Sequence, residues 1–161
     1  MELVGVRIEL PTNTPILLLK EVDGTRFLPI WIGANEATAI ALALEGIQPQ
    51  RPMTHDLMKT LSEALGGTID RVVVTELRDG TFYADLVIAR DGEEVHVSAR
   101  PSDAIALAAR SDAKLFAAQE VIDEAGVEIQ DEEQEDQIEQ FREFLEDVSP
   151  EDFEPRERRD Q

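Results

Sequence analysis

The chain contains no cysteine among its 161 residues. This absence excludes disulfide bonds, zinc–thiolate sites and catalysis by a thiol nucleophile. It is typical of a protein that works in a reducing compartment.

Long hydrophobic runs are also missing. The most apolar stretch, residues 29–44, is interrupted by Asn35 and Glu36. It is shorter than the roughly 20 apolar residues that a membrane-spanning helix needs. The first residues have neither the basic nor the apolar region of a signal peptide. We therefore expect a soluble, cytoplasmic protein that makes no membrane contact.

Basic residues are scarce, with 15 Lys/Arg against 35 Asp/Glu and a formal net charge of −20. Residues 1–120 contain 11 basic and 18 acidic residues, a net charge of −7, and residues 121–161 contain 4 and 17, a net charge of −13. Such a field repels polyanions such as DNA. Because most of the excess negative charge lies in the last quarter of the chain, this objection to nucleic-acid chemistry is weaker for the first 120 residues.

The composition changes after Gly126, which predicts a folded domain over residues 1–126 and an acidic tail over residues 127–161. One amphipathic helix is predicted at residues 133–148, and the charged end from residue 155 is predicted to be disordered. The residues on the apolar face of that helix are Ile138, Phe141, Leu145 and Val148. We expect the acidic tail to dock a protein partner, which would be basic.

Two kinds of sequence pattern predict strands in the domain. Asp23-Gly24 lies between two apolar runs and favours a hairpin, and its second strand contains Pro29, which places that strand at an edge or a bulge. Asp79-Gly80 and Asp91-Gly92 separate three alternating runs and predict a three-stranded antiparallel meander. The predicted strands are residues 2–10, 15–20, 27–32, 69–78, 81–90, 93–99 and 115–118.

Helical periodicity predicts four helices in the same domain. The second begins at Thr54, carries a stripe of leucines and ends before Gly66; the third is alanine-rich and follows Ser102 as its N-cap. The predicted helices are residues 36–46, 54–65, 103–110 and 120–125. Together these elements predict an α+β fold in which a mixed, largely antiparallel sheet packs with three to four helices.

Polar residues gather where three of these helices begin. Each start places an acid in the first helical turn, and two of the starts follow an arginine. These residues are Glu36, Arg51, Asp56, Arg100 and Asp103. The simplest interpretation is structural, because an acid in the first turn gains about 0.3–1 kcal/mol from the helix dipole and a cap such as Thr54 or Ser102 about 1 kcal/mol.

A functional interpretation asks what these groups do together. Helix N-termini attract phosphate, and one arginine can bind two phosphate oxygens at once. Arg51 and Arg100, with Thr54 and Ser102, would then bind the substrate. Carboxylates are the ligands that Mg²⁺ or Mn²⁺ prefers. Glu36, Asp56 and Asp103 would hold the metal as catalytic residues, and His55 would transfer a proton or bind the metal. His96 lies inside a predicted strand and is interpreted as a satisfied strand residue.

The same segments resemble the bifunctional nuclease family of bacteria and plants. Five blocks in order carry the resemblance, which covers about residues 1–126. They are residues 28–33 with Glu36-Ala37; Leu44-Glu45-Gly46; Arg51-Pro52 with Thr54-His55-Asp56-Leu57; Gly80-Thr81-Phe82-Tyr83-Ala84; and Ala99-Arg100-Pro101-Ser102-Asp103-Ala104 with the four residues that follow.

The resemblance implies an α+β fold, homo-oligomerisation as a dimer or larger assembly, and nuclease activity on both DNA and RNA. Relatives often have aspartate where this chain has Ser98, so a metal site that used this carboxylate would be weaker or built differently here. Two hypotheses therefore stand. The first is a metal-assisted nuclease. The second is a non-enzymatic module that binds an anion or ligand, or regulates a partner, and whose acidic tail docks that partner or mimics nucleic acid.

Overall fold

The computed structural model describes residues 1–129, which fold into four α-helices and eight β-strands. The predicted helix at residues 133–148 and most of the predicted acidic tail lie outside this range. The elements in chain order are β1 (Glu2–Glu9), β2 (Thr14–Lys20), β3 (Arg26–Trp31), α1 (Ala34–Leu44), α2 (Thr54–Ala64), β4 (Thr68–Arg78), β5 (Thr81–Arg90), β6 (Glu93–Ala99), α3 (Pro101–Ala108), β7 (Lys114–Ala117), α4 (Gln119–Ala125) and β8 (Val127–Glu128). No helix of residues 1–129 is long and apolar enough to cross a membrane.

The first sheet has the strand order β1-β2-β3-β8 and is antiparallel throughout. The hairpin predicted around Asp23-Gly24 is confirmed as β2 and β3, with Leu17 opposite Ile30 in its register. The short strand β8 pairs only with Arg26 and Phe27. Within residues 1–129, Pro29 therefore lies in the part of β3 that is paired on one side only. This agrees with the prediction that the proline occupies an edge position.

The second sheet has the strand order β6-β5-β4-β7, and its first three strands are the predicted meander. Both turns have positive φ angles at their two central residues, 51° and 75° at Asp79-Gly80 and 52° and 81° at Asp91-Gly92. These angles are those of the tight turn that matches the twist of a hairpin. β7 pairs parallel to β4, which makes the sheet mixed. The α+β class with largely antiparallel pairing is confirmed, whereas the division into two sheets was not predicted.

The helices α1 and α3 connect the two sheets. α1 packs on β1, β2 and α3, and α3 packs on β4, β5 and β7. The residues of α3 from Ala104 to Ala108 are at most 3% exposed. Three of them are alanines, and these small side chains let neighbouring backbones approach closely. The polar first turns of α1 and α3 are thereby brought to the same region of the domain.

The two predicted N-caps are wrong. Met53 is the N-cap of α2, and Thr54 is its first helical residue. The Asp56 carboxylate accepts a hydrogen bond from the Met53 backbone N–H at 2.9 Å, which closes this helix end. Arg100 is the N-cap of α3, and Pro101 precedes Ser102 in the helix. Proline suits the first helical position because the N–H that it lacks would have no helical partner there.

Candidate functional site

Side chains from the first turns of three helices form one hydrogen-bonded cluster. Arg100 Nε donates to Asp103 Oδ2 at 2.7 Å, and Arg100 Nη2 donates to Glu36 Oε1 at 3.0 Å. His55 Nε2 lies 3.0 Å from Asp103 Oδ1. Four of the predicted site residues, Glu36, His55, Arg100 and Asp103, are therefore joined in what we call the Arg100 cluster.

Gly33 gives Glu36 its position in this cluster. Gly33 is the N-cap of α1, and a Cβ atom added to it would collide with Oε2 of Glu36. The Glu36 side chain thus folds back over the start of its own helix, where the N-terminal dipole favours a negative charge. Any larger residue at position 33 would displace the carboxylate that Arg100 contacts.

Burial differs sharply across the Arg100 cluster. The side chain of His55 is 10% exposed and that of Asp103 28%, whereas that of Arg100 is 66% exposed. Burial on its own raises the pKa of Asp103, but hydrogen bonds from Arg100 and His55 outweigh it and hold this pKa below its usual value. The same contacts with Asp103 and Glu36 raise the pKa of Arg100. The cluster therefore presents a charged guanidinium to solvent over a protected histidine–carboxylate pair.

The pairing of His55 with Asp103 fixes how the imidazole can act. Because the lowered pKa keeps Asp103 ionised at neutral pH, we assign the hydrogen to Nε2, which donates it to Oδ1. In a neutral ring Nδ1 is then an acceptor. Within residues 1–129, Nδ1 takes part in no hydrogen bond. A carboxylate–histidine pair of this kind can remove a proton from a water molecule.

Asp56 belongs to a neighbouring contact that sequence reasoning missed. Arg110 Nε donates to Asp56 Oδ1 at 2.6 Å, Nη1 to the Ala106 carbonyl at 2.8 Å, and Nη2 to the Ala39 carbonyl at 2.9 Å. We call this arrangement the Arg110 clamp. Burial on its own raises the pKa of Asp56, but the hydrogen bonds from Arg110 and the Met53 backbone lower it. One guanidinium thus ties α1, α2 and the end of α3 together.

A sequence signal for the clamp existed. Arg110 follows Asp103 by seven positions, a spacing that places two residues on the same side of a helix. A basic residue on the side of α3 that carries a site carboxylate would have been a reasonable candidate. Its partner could not have been chosen from spacing alone, because Asp56 lies on a different helix.

The remaining predicted residues lie outside the hydrogen-bonded cluster. Arg51 is exposed in the loop before α2, and no hydrogen bond or ion pair within residues 1–129 links it to the Arg100 cluster. Thr54 is exposed at the start of α2, and Ser102 is buried at the second position of α3.

The carboxylates do not fit a metal ion in the arrangement described. Glu36 and Asp103 both accept hydrogen bonds from Arg100, and Asp56 accepts from Arg110. A cationic guanidinium therefore occupies the position between two carboxylates where a divalent ion would be bound. No group of three or more histidine, aspartate or glutamate side chains in residues 1–129 is arranged to hold a metal. The predicted Mg²⁺ or Mn²⁺ ligands could converge only if Arg100 moved away.

His96 lies in a strand and its ring nitrogens have hydrogen-bond partners, as predicted. It is exposed on β6, with Nδ1 2.5 Å from Asp85 Oδ2 and Nε2 3.3 Å from Glu94 Oε2. The hydrogen bond with Asp85 raises the pKa of His96. Ser98 is opposite Asp85 in the register of β5 and β6.

Comparisons with known proteins identify a family and several relatives with similar sequences. The family model for the bifunctional nuclease domain matches residues 17–130. An uncharacterized protein of Mycobacterium tuberculosis is 47% identical over 161 residues, which cover 95% of this chain and 96% of that protein. Bifunctional nuclease 1 of Oryza sativa subsp. japonica is 31% identical over 98 residues. Bifunctional nuclease 1 of Arabidopsis thaliana is 31% identical over 100 residues.

The chain belongs to the bifunctional nuclease domain family, since the family model covers more than half of it and includes the whole Arg100 cluster. The similarity to the two plant nucleases is partial. It covers 58% and 60% of this chain but only 30% and 31% of the plant proteins. Their printed names identify them as nucleases, and the more similar bacterial relative carries no functional name.

Proposed function

We propose that this chain is a nuclease that hydrolyses phosphodiester bonds in DNA and RNA. Family membership supports the reaction class. The observation that carries the proposal is the Arg100 cluster, because it combines the two groups that phosphodiester hydrolysis needs. One is a positively charged donor for the phosphate, and the other is a base for the attacking water.

Arg100 is the group that binds phosphate in this proposal. A guanidinium has five N–H donors, of which the contacts with Asp103 and Glu36 use two, so three remain for phosphate oxygens. The N-termini of α1, α2 and α3 add positive potential in the same region. These donor groups face an approaching phosphate at one place on an otherwise acidic domain.

His55 is the general base in this proposal. Asp103 accepts the Nε2 hydrogen and orients the ring, and Nδ1 takes a proton from the attacking water. Asp103 also stabilises the imidazolium that forms. The low exposure of His55 keeps competing solvent away, while the exposed Arg100 marks the side from which the substrate arrives. A base in this position typically contributes a factor of about 10²–10⁴ to the rate.

A divalent metal remains a prediction, with Mg²⁺ or Mn²⁺ as the expected ions and Glu36, Asp56 and Asp103 as the expected ligands. It requires Arg100 and Arg110 to release these carboxylates, which both arginines contact in the structure. The expected partners are DNA and RNA as substrates and further copies of the same chain. A protein partner for the acidic tail is expected as well.

The test is cleavage of single-stranded DNA and RNA by the purified chain, with and without EDTA, beside two variants. His55→Gln should lower the cleavage rate by about 10²–10⁴. His96→Gln is the matched control, since it removes the only other histidine, and it should cleave as the parent does. Loss of cleavage in EDTA would support the metal prediction, and unchanged cleavage would remove it.

Two results would overturn the proposal. Equal cleavage by the parent and His55→Gln would show that His55 is not the base or that a contaminant cleaves the substrate. No cleavage by the parent, together with Arg100-dependent binding of a phosphate-containing ligand, would favour the non-enzymatic anion-binding module instead. Circular dichroism of each variant shows whether a lost activity reflects a lost fold.

A further inference from the structure

Trp31 is the single tryptophan of the chain, and it faces solvent at the residue where β3 ends. Tryptophan is highly buried on average, because its ring carries about 150–250 Å² of largely apolar surface. Trp31 is nevertheless 53% exposed. Packing within residues 1–129 therefore uses only about half of this side chain, and the exposed half is available to a ligand.

A hydrogen bond fixes the orientation of the exposed ring. The indole Nε1–H of Trp31 donates to Glu9 Oε2 at 3.0 Å. This N–H is the only donor of an indole, so the polar edge of the ring is satisfied by the protein and its flat faces remain apolar. Trp31 is opposite Ile16 in the register of β2 and β3, which places an apolar side chain beside the ring on the same side of the sheet. A ring that is already held in place loses little entropy when a ligand stacks on it.

Trp31 lies a short distance from the Arg100 cluster. Gly33, the N-cap of α1, follows it by two residues, and Glu36 is in the first turn of that helix and contacts Arg100. Two extended residues span about 7 Å and one helical turn of three residues about 5 Å, so the Cα atoms of Trp31 and Glu36 are no more than about 12 Å apart. Stacked nucleotides of one strand follow each other at about 3.4 Å, so this distance corresponds to about three or four nucleotides.

We propose that Trp31 stacks on a base of a single-stranded nucleic acid whose phosphate is bound by Arg100. The inference rests on the proposed function, and it names unpaired strands as the substrate class. In a duplex both faces of a base are covered by its neighbours, whereas an unpaired base can turn outward and stack on an aromatic ring. Stacking accepts any base, because every base has a flat π-face, and this suits an enzyme that cleaves both DNA and RNA.

Charge and size favour a base as the occupant of this ring. The Glu9 carboxylate at the edge of the indole repels phosphate, so the backbone of the strand is directed to Arg100 and a neutral base to Trp31. The exposed half of the ring amounts to on the order of 100 Å², which is enough for one flat base. A protein partner would need about 800 Å² on each side of a standard interface.

The fluorescence of the single tryptophan reports this contact directly. The full chain with His55→Gln, which lacks the proposed base, leaves an oligonucleotide intact during a titration. A short oligothymidylate should quench the fluorescence. The same strand paired with its complement, and an abasic strand with the same number of phosphates, should leave it unchanged. No quenching by oligothymidylate, or equal quenching by the abasic strand, would overturn the proposal.

Steady-state cleavage by the full chain gives the second measurement. Trp31→Ala should raise the KM for single-stranded DNA and RNA about 5- to 150-fold and leave kcat within about twofold, since stacking on a remote base binds the substrate and the transition state equally. Trp31→Phe keeps an aromatic ring and should recover most of the loss. Phe116→Ala is the matched control, because Phe116 is 45% exposed but lies beside Leu44 at the other end of α1.

The two measurements distinguish this inference from the nuclease proposal. An unchanged KM in Trp31→Ala, with cleavage intact, would overturn the stacking and leave the nuclease proposal standing. Quenching by oligothymidylate without cleavage by the parent would support the stacking and remove the nuclease proposal.

Discussion

Replacing Arg110 with alanine is expected to destabilise the junction of three helices. The Arg110 clamp joins Asp56 on α2, the Ala39 carbonyl on α1 and the Ala106 carbonyl near the end of α3. The arginine side chain is 10% exposed, so water replaces these contacts poorly when the guanidinium is removed. The variant should therefore be less stable than the position of Arg110 just after the end of α3 would suggest.

The expected loss can be worked out from the three bonds. The bond to the Asp56 carboxylate is charge-assisted and worth about 1.5–3 kcal/mol, and each bond to a carbonyl is worth about 1 kcal/mol. Ala39 lies inside α1, so its carbonyl keeps a helical partner, whereas Ala106 lies in the last turn of α3. Asp56 keeps its bond from the Met53 N–H. The bonds to Asp56 and to the Ala106 carbonyl therefore sum to about 2.5–4 kcal/mol of unfolding free energy lost in Arg110→Ala.

Urea unfolding monitored by far-ultraviolet circular dichroism measures this loss. With a denaturant slope of about 2 kcal/mol per molar, the midpoint should fall by roughly 1–2 M. Fluorescence is a poor monitor, because the single tryptophan, Trp31, is already 53% exposed in the folded domain. Arg51→Ala is the matched control, since this exposed loop arginine should change stability by less than about 0.5 kcal/mol.

A midpoint for Arg110→Ala equal to that of Arg51→Ala would refute the clamp. A double-mutant cycle sharpens the result, because Asp56→Asn keeps the shape of the side chain and removes its charge. If the ion pair carries most of the loss, Arg110→Ala and Asp56→Asn should be non-additive by about 1 kcal/mol or more.

Three further predictions concern other parts of the domain. Burial raises the pKa of Asp103, but its hydrogen bonds lower this pKa overall, so ionised Asp103 stabilises the fold above the unfolded-state pKa of about 3.9, and this stabilisation is lost as pH falls through the folded-state pKa. In Asp103→Asn the urea midpoint should therefore fall less between neutral and acidic pH than it does in the parent. The same fall in midpoint for both proteins would contradict this prediction. A Cβ atom at Gly67 would lie 2.8 Å from Ile88 Cγ2, so Gly67→Ala should cost about 1–3 kcal/mol in thermal unfolding, and an equal melting temperature would argue against this packing. His96 should titrate above 6.5 in a proton NMR titration and shift downward in Asp85→Asn, because its hydrogen bond with Asp85 raises its pKa.

Local patterns were sufficient to predict most elements of the fold. The Asp-Gly pairs at residues 79–80 and 91–92 determine their turns through positive φ angles, and the alternating runs beside them can pair only as neighbours. The parallel pairing of β7 with β4 and the placement of β8 beside β3 depend on contacts between distant segments. Periodicity carries no information about such contacts, and the division into two sheets was therefore not predicted.

The candidate site was predicted to a similar extent. Glu36, His55 and Asp103 were recognisable because each occupies the first turn of a helix, and the family resemblance marked Arg100 beside them. The contact between Asp56 and Arg110 depends on how α2 packs against α3, which no local pattern determines. The leucine stripe of α2 also separates what local patterns predict from what packing determines. Periodicity identified an apolar face but not the direction in which that face points.

Strand β3 has a consequence for synthesis on the ribosome. Among residues 1–129 the outer edge of β3 is covered by β8 alone, which follows it by about 100 residues along the chain. At about 5–20 residues per second, this edge waits on the order of 5–20 s for its partner strand. Pro29, which has no N–H to offer a passing strand, stands in the part of β3 that stays uncovered. One proline thus removes a backbone donor from an edge with which a neighbouring nascent chain could otherwise pair.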